Sequence, residues 1–524
     1  MVNNFWKHTL AMNRVCFCAA VFLCGLVYAN PFEESASFKA VNEIDALLSS
    51  SLSKQGVQPA PLCSDAVFMR RVYLAVLGTL PTAEEAKKFL NDKSATKRTT
   101  LIDRLLERPE YAGYWTLKWA DLLRCKAEFP VNLWPNGAAV YYRWIHDSIR
   151  ENKPYNRFAR ELLLSKGSNF RNGESNFYRA VANRDAESLA EVAALTFMGV
   201  QTGPWSSEKQ KQMAVFFSRV GYKGTAQWKE EIVFRIRKPL ESTDVVFPDG
   251  THGQVKAEQD PRQVFADWLV SPKNKQFNEN IANRIWYWLF GNGLVDPPDN
   301  FSDENPPVHP ALLSYLAEEL VREKYDMKHL VRLILNSAAF QQSSFPVKRG
   351  SQQRQELFAA YPVRRLDAEV LQDALSQIFG VSAKYVSEVP EPFASLPNHY
   401  RTIMIPDTSL TSSFLETFGR ATRDSGLVSD RNNGITESQM LFLMNSAEIN
   451  QWATNFIGQG RNRKNNTGKP NVPREAADEM WLQILSRYPT GEELKTAAEA
   501  LRSGTPAADI VWALINSTEF LCQH

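Results

Sequence analysis

Apolar residues recur at helical spacing through most of this chain, and prolines interrupt the pattern. Between residues 66 and 123 the periodicity breaks at Pro81 and Pro109, which predicts three or four short helices in close succession. Helical spacing continues to about residue 199 and returns after residue 260. The pattern therefore predicts a mainly α protein made of two helical blocks.

A change of period separates the two blocks. Residues 231–237 alternate apolar and charged side chains, and two short apolar runs flank the turn residues Pro248-Asp249-Gly250. These signals predict a small antiparallel β element between the blocks. The predicted organisation is a signal peptide at 1–29, a helical domain at 40–225, a β-hairpin region at 230–257 and a second helical domain at 258–524. The second helical domain contains a flexible linker at 458–473 and a C-terminal helical unit at 474–524.

The beginning and the end of the chain carry the same motif, an apolar helix, a proline stop and a second helix. The first copy reads RRVYLAVLGTLPTAEE at 70–85, and the second reads MWLQILSRYPTGEE at 480–493. In each, a threonine precedes a glutamate by three residues, the spacing of a capping box. Similar helix ends follow at 105–111 and 514–520, with echoes at 334–340 and 443–449. We call residues 70–111 the first unit and 480–520 the last unit, and the repetition predicts helix-turn-helix pseudo-repeats.

The N-terminal residues have the order of a secretory signal. Lys7 and Arg14 precede an apolar run at 15–27, and Val27-Tyr28-Ala29 is a small-residue cleavage signal. The run is shorter than the roughly 20 apolar residues of a membrane span, so we expect an exported chain, periplasmic or extracellular, with no membrane span after cleavage. A retained anchor is the alternative. Cleavage removes two basic residues and no acid, which lowers the formal net charge from +2 to zero and argues against a nucleic-acid partner.

The cysteines and short motifs give little support to metal or cofactor chemistry. The mature chain keeps Cys63, Cys125 and Cys522, which permit one disulfide in any of three pairings. The sequence has no Cys-x-x-Cys, no His-Glu-x-x-His and no calcium-loop spacing. We therefore predict neither a metal nor a cofactor.

Several local runs, taken together, resemble a known pair of families. In the first block they are Arg70-Arg71-Val72-Tyr73-Leu74 and Leu101-Ile102-Asp103-Arg104-Leu105-Leu106; in the second they include Asp260-Pro261-Arg262, Asn283-Arg284-Ile285-Trp286 and Asn305-Pro306-Pro307-Val308-His309-Pro310. The chain resembles planctomycete-type secreted proteins with paired DUF1549 (PSCyt2) and DUF1553 (PSD1) domains. This resemblance implies the architecture more than a reaction.

The resemblance also implies a comparison of thiol positions. Many members carry a Cys-x-x-Cys-His run late in the first domain, which can attach haem. The corresponding residues here read Gln201-Thr202-Gly203-Pro204-Trp205, and Phe418-Gly419-Arg420 is followed by no cysteine-rich stretch. We therefore predict no covalent haem.

The weak candidates for a catalytic site lie around the proline-rich loop of the second block. They are Arg284, Asp299, His309 and His329, with Arg332 nearby in the sequence. If they converge, they form a polar pocket for acid–base work or for gripping an anion. In the structural alternative Asp326 caps a helix, His329 is a solvated residue of its first turn, and Arg284 pairs with Asp299 to fasten the loop.

The sequence leaves three functional hypotheses. The first is a non-catalytic scaffold or binding accessory of envelope, secreted degradative or respiratory machinery, with cytochrome c-like or other envelope proteins, or polysaccharide, as possible partners. The alternative is an enzyme that acts on polysaccharide or sulfated fragments through the four candidate residues. A redox partner is the second alternative.

Overall fold

The computed structural model describes residues 32–33, 37–237, 242–346, 353–387, 389–390, 396–397, 399–463 and 474–524, without the side chains of 353–354 and 458–463. The predicted signal peptide lies outside the described residues. Over the described ranges the chain is mainly α, and its strands form only small sheets. The predicted fold class is confirmed.

The helices of the first block begin and end where the sequence supplies caps. Ser64 and Thr82 each accept a hydrogen bond from a backbone amide of the first turn that follows, and Gly78 ends a helix in the left-handed conformation. The helices of this block are α1 (Glu43–Lys54), α2 (Asp65–Leu77), α3 (Ala83–Asn91), α4 (Lys97–Leu106), α5 (Pro109–Leu122), α6 (Pro135–Arg150), α7 (Tyr155–Leu163), α8 (Ala186–Met198) and α9 (Ser207–Val215).

The β region differs from the predicted single hairpin. Strand β3 (Glu231–Arg235) pairs with β2 (Val220–Gly224) and β1 (Gly167–Ser168), so it belongs to a three-stranded sheet of the first block. Only β4 (Thr243–Val246) and β5 (His252–Val255) form the antiparallel hairpin between the blocks. The reason lies in side chains distant in sequence, because the carboxylate that begins β3 pairs with two arginines of the first block.

The second block is helical and longer. Asp260 caps its first helix and Gly291 ends its second in the left-handed conformation. Its helices are α10 (Pro261–Leu269), α11 (Lys275–Phe290), α12 (Pro310–Arg322), α13 (Met327–Leu335), α14 (Ala338–Gln341), α15 (Gln353–Glu356), α16 (Ala368–Phe379), α17 (Ser413–Thr417), α18 (Glu437–Asn445), α19 (Ala447–Arg463), α20 (Arg474–Leu485), α21 (Gly491–Arg502), α22 (Ala507–Ile515) and α23 (Thr518–Leu521). Strands β6 (Arg364–Arg365) and β7 (Cys522–Gln523) pair near the C-terminus.

The predicted linker at 458–473 is helical where the structure describes it. Helix α19 continues to Arg463, and residues 464–473 lie outside the described residues. The polar composition that predicted a linker is also compatible with the solvent face of a helix. None of the helices described is both long and apolar enough to span a bilayer.

The last unit packs directly on the first unit. The guanidinium of Arg70, on α2, donates to the carbonyl of Ile484 at 3.0 Å and to that of Phe520 at 2.9 Å. The neighbouring Arg71 donates to the carbonyl of His524 at 2.8 Å. Carbonyls at helix ends lack intrahelical partners, so these buried arginines join the beginning of the chain to its end.

The two blocks share one hydrophobic core. Trp119 of α5 lies 5.4 Å from Trp288 of α11, ring centre to ring centre, and Trp115 lies 5.8 Å from the same ring. Edge-to-face contacts of this kind stabilise aromatic pairs beyond the area that they bury. These tryptophans therefore fill core space across the boundary between the blocks.

Candidate functional site

The structure brings two of the predicted site residues together, Arg284 and Asp299. The Nη2 atom of Arg284 lies 2.9 Å from Oδ1 of Asp299 and donates to the Leu195 carbonyl at 3.0 Å. The other carboxylate oxygen of Asp299 accepts from the Val428 amide at 2.6 Å. Both charged side chains are buried. The predicted structural pairing is confirmed, and it fastens the proline-rich loop to the end of α8.

His309 is buried among different partners. Its Nε2 donates to the Leu357 carbonyl at 2.9 Å, so its Nδ1 accepts from the Ser51 hydroxyl at 2.8 Å. Burial lowers the pKa of this imidazole, although the hydrogen bond to the carbonyl opposes the shift. The ring is therefore neutral near pH 7 and connects the second block to α1.

His329 and Arg332 have further partners of their own. Asp326 caps α13 by accepting from the His329 amide at 2.9 Å, which confirms the predicted cap. The His329 ring lies 3.1 Å from the Glu319 carboxylate, and Arg332 pairs with Asp103 at 2.9 Å. The predicted site residues therefore take part in separate contacts, apart from the Arg284–Asp299 pair.

One group of the described residues has the composition of a metal site. Ligand atoms of Glu319, Glu323 and His329 lie within 4.8 Å of one another. Glu319 already has partners, because it contacts His329 and the guanidinium of Arg322. The group lies at the junction of α12 and α13 and has the ligand types of a divalent cation site.

The cysteines behave as small buried side chains. Cys125 and Cys522 are buried thiols, and Cys125 donates to the Ala138 carbonyl at 3.3 Å. Burial raises the pKa of Cys125 to about 12, so its thiol is protonated at neutral pH.

The candidate functional site is a pocket of about 340 Å³ between the two blocks, which we call the interdomain pocket. Its first-block wall comes from the turn between α2 and α3, from α3 and from the start of α5. Its second-block wall comes from α16 and the loop after it. The lining residues are Thr79, Leu80, Thr82, Glu85, Arg108, Glu110, Asp373, Ser376, Gln377, Val381, Ser382, Ala383, His399, Tyr400 and Arg401.

Two glutamates hold one arginine on the first-block wall. Arg108 donates to Glu85 at 2.7 Å and pairs in a bidentate manner with Glu110. Burial opposes ionisation of Glu85, but the Thr82 amide and the Arg108 charge hold its pKa below the ordinary value. The hydrogen bond from Arg108 lowers the pKa of Glu110 as well. Both carboxylates are therefore ionised at neutral pH, and each of the three charged side chains is about 30% exposed.

The second-block wall contributes the carboxyl group of Asp373 and the guanidinium of Arg401, whose contacts are long. Asp373, on α16, accepts from the Thr402 amide at 2.6 Å and from the Ile403 amide at 3.3 Å. Burial raises its pKa, and Arg401 and these hydrogen bonds partly oppose the shift. Arg401 approaches Asp373 at 3.4 Å and the Gly78 carbonyl at 3.4 Å, both longer than good hydrogen bonds. Its guanidinium thus has donors left for a ligand.

A serine and a histidine meet at the rim. Ser382 Oγ lies 2.5 Å from His399 Nδ1. A nucleophile–base pair needs a third group that orients the base. Among the contacts described for His399, no carboxylate plays that part. The pair therefore supplies polar atoms to the pocket rather than an assembled hydrolytic triad.

An ionic network away from the pocket lining ties the blocks together. Asp121, on α5, pairs with Arg423 at 2.9 Å and with Arg431 at 2.7 Å, and Arg431 also pairs with Glu369 at 2.7 Å. Burial alone would raise the pKa of Asp121, but the two guanidiniums lower it. Removing a partner from such a network leaves an uncompensated buried charge. The network therefore fixes the relative position of the pocket walls.

Sequence reasoning missed the interdomain pocket and the ionic network. The sequence did contain a signal for the network. Two arginines, Arg420 and Arg423, lie at and just after the Phe418 turn, in the stretch where the resemblance implies cysteines. The signal for the pocket was the pair of acids in the first unit, Glu85 and Glu110. The capping-box interpretation already accounted for Glu85, so it gave no reason to look for a pocket.

Comparisons with known proteins assign both blocks to families. Residues 43–221 match PSCyt2, described as a protein of unknown function (DUF1549), and residues 261–501 match PSD1, described as a protein of unknown function (DUF1553). The search of curated proteins and the search of solved structures each found no match. The interdomain pocket lies between these two domains, since its walls come from residues 79–110 and 373–401. The chain is thus a protein with paired PSCyt2 (DUF1549) and PSD1 (DUF1553) domains.

Proposed function

We propose that this chain is an exported, non-catalytic binding accessory and that the interdomain pocket is its ligand site. The observation that carries the proposal is an open pocket, lined by fixed charged side chains, at the junction of the two domains. Sites at domain junctions are a common location for small polar ligands. The signal-like N-terminal sequence supports export.

The ionisation of the two first-block glutamates argues against a general-acid role for either of them. The pKa values of Glu85 and Glu110 are lowered, so neither carboxyl holds a proton to donate at neutral pH. Asp373 accepts two backbone amides, which fix it as part of the wall. Hydrogen-bond acceptors and guanidinium donors held in this way suit recognition of a polar ligand.

The alternatives taken from the sequence have less support. The enzyme hypothesis relied on convergence of Arg284, Asp299, His309 and His329, and these side chains have separate structural partners. The redox hypothesis has a direct test. Visible absorption of the purified chain after expression with haem-attachment machinery is expected to show no Soret band, and a Soret band would restore that hypothesis.

The test of the proposed function is ligand retention that depends on the pocket. The mature chain is incubated with a small-molecule and glycan extract of the native envelope, and retained molecules are identified by mass spectrometry. Thr79→Arg places a long side chain in the pocket wall. Thr100→Arg, the same change on an exposed position of α4, is the matched control.

We expect the wild-type chain and Thr100→Arg to retain the same ligand and Thr79→Arg to lose it. Circular dichroism and thermal unfolding check that both variants fold. Retention of an identical set of molecules by all three proteins, or turnover of a retained molecule by the wild type, would contradict the proposal.

A further inference from the structure

In the last unit, two glutamates of the repeated motif bind the guanidinium of one arginine, which fills the space between them. Arg487 binds Glu519 through Nε at 2.6 Å and Nη2 at 2.7 Å, and it binds Glu493 through Nη1 at 2.8 Å and Nη2 at 2.7 Å. The guanidinium is buried. Two carboxylates therefore enclose one guanidinium that enters from the turn before the proline.

The first unit has the same carboxylates but a different side chain in that turn. Alignment on the proline-threonine pair places Glu85 at the position of Glu493 and Thr79 at the position of Arg487. The ends of the two units align with an offset one residue larger, Leu105-Leu106 on Leu514-Ile515, which matches Glu110 with Glu519. The short Thr79 does not reach the carboxylates, and it lines the interdomain pocket together with both of them.

The first unit obtains its guanidinium from the opposite side. Arg108, the N-cap residue immediately before α5, occupies the position of Ser517 in the last unit. It engages Glu85 and Glu110 from the helix start and leaves the side near Thr79 open. A carboxylate has about four acceptor positions. Glu110 uses two of them for Arg108, whereas Glu85 uses three, one for Arg108 and two for Thr82. Glu110 is therefore the acid with more acceptor positions left for a second donor.

We propose that the interdomain pocket binds the guanidinium group of a ligand, in the place that Arg487 fills in the last unit. The charges agree with this, because the described lining residues include three carboxyl side chains, Glu85, Glu110 and Asp373, and two guanidiniums, Arg108 and Arg401. The inference rests on the proposed binding function and names the chemical class of its ligand.

Two further groups on the second-block wall fit a planar cation. Tyr400 lines the pocket, and an aromatic face attracts guanidinium groups. The Ser376 hydroxyl, on the same wall, has no hydrogen-bond partner among the described atoms and no exposed surface in this conformation, so it can accept from a guanidinium N–H only after its side chain rotates. The spare donors of Arg401 can take a carboxylate or carbonyl attached to the same ligand.

The guanidinium can come from a free small molecule or from an arginine side chain of a peptide. Isothermal titration of the mature chain with agmatine, with free arginine and with the tripeptide Gly-Arg-Gly distinguishes these sources. Glutarate is the anionic control. The proteins are the wild type, Thr79→Arg, Glu110→Gln and the control Thr100→Arg.

We expect the wild type and Thr100→Arg to bind at least one of the three guanidine probes with equal affinity, and not glutarate. Thr79→Arg, whose own guanidinium enters the space, is expected to weaken binding at least tenfold. Glu110→Gln removes one negative charge without adding bulk and is expected to weaken it severalfold, which keeps the test valid if Thr79→Arg unfolds.

The inference is overturned if none of the guanidine probes binds, if glutarate alone binds, or if Thr79→Arg and Glu110→Gln both bind as the wild type does. If the envelope extract still yields a ligand that Thr79→Arg loses, the proposed binding function stands and only its assignment to a guanidinium fails. Agmatine binding without tripeptide binding identifies a free small molecule as the source, and tripeptide binding identifies a peptide side chain.

Discussion

The first and last units build the same backbone from different side-chain choices. Each has a threonine N-cap and a glutamate three residues later that form a capping box. In both units the threonine side chain accepts from the glutamate amide, and the glutamate side chain accepts from the threonine amide. The residue after the first helix is left-handed in both, with φ of +58° at Gly78 and +62° at Ser486. Local sequence therefore specified the turn twice.

The two units differ in where their guanidinium originates and in how deeply it lies. Arg487 is 7% exposed, whereas Arg108 is 29% exposed. One position accounts for much of this difference, because an arginine in the turn fills the space between the acids, and a threonine leaves it open. A repeated motif can therefore act as a structural joint in one copy and as the wall of a pocket in the other.

The largest contrast is expected from removing the buried arginine. Arg487→Met leaves Glu493 and Glu519 facing each other without a cation, and we expect a loss of about 3 kcal/mol in the free energy of unfolding. Urea denaturation followed by tryptophan fluorescence measures it. A loss below the value for Arg108→Met would show that the burial of the two arginines does not decide their contribution.

Acid sensitivity is expected to come next. Burial opposes ionisation of Glu493, but Arg487 lowers its pKa to about 2 from the ordinary 4.5. A lowered folded-state pKa stabilises the protein above the unfolded-state value, so this contribution is present above about pH 5 and is lost as the pH falls toward 2. Thermal unfolding from pH 6 to pH 3 should show a smaller decline in Glu493→Gln than in the wild type; an equal decline would assign acid sensitivity elsewhere.

The exposed arginine is expected to contribute less. Arg108→Met removes partly solvated ion pairs and should cost about 1 kcal/mol. The double variant Thr79→Arg with Arg108→Ser gives the first unit the arrangement of the last, and it should recover most of that loss. Urea denaturation of the wild type, Thr79→Arg, Arg108→Ser and the double variant forms a cycle, and simple additivity would mean that the introduced guanidinium does not reach the acids.

The smallest effect is expected where the units are alike. Thr82→Ala and Thr490→Ala each remove an N-cap and should cost about 0.5–1 kcal/mol. Hydrogen exchange of the amides of Glu85 and Glu493, which the two threonines accept, measures the local opening of each helix start. Very different values in the two units would show that the caps depend on the surrounding tertiary structure.

Local signals in the sequence predicted much of the helical fold. The N-cap at Asp326 and both capping boxes form as expected, because their partners lie within a few residues. The β region was predicted less well, since strand Glu231–Arg235 is held by the guanidiniums of Arg179 and Arg184 from the first block. Sequence spacing contains no information about such a distant pairing.

The candidate site illustrates the same limit. Arg284 lies on α11 and Asp299 in the loop that follows this helix. The two residues are close in the sequence, and their pairing was predicted as one of two alternatives. Glu85 and Asp373 are far apart in the sequence, and only the packing of α3 and α16 on opposite sides of one pocket relates them. Their shared role could not be predicted from periodicity.

The sequence by itself determined the mainly α character, the repeated capped turn and the family of each block, because these depend on short-range spacing and on motifs. The tertiary structure alone decided which copy of the turn became a pocket. That outcome depends on whether the long side chain at one turn position is present and on which distant helix packs opposite it. The sequence determines the length of the side chain at this position. The space that the side chain fills or leaves empty exists only after the chain has folded.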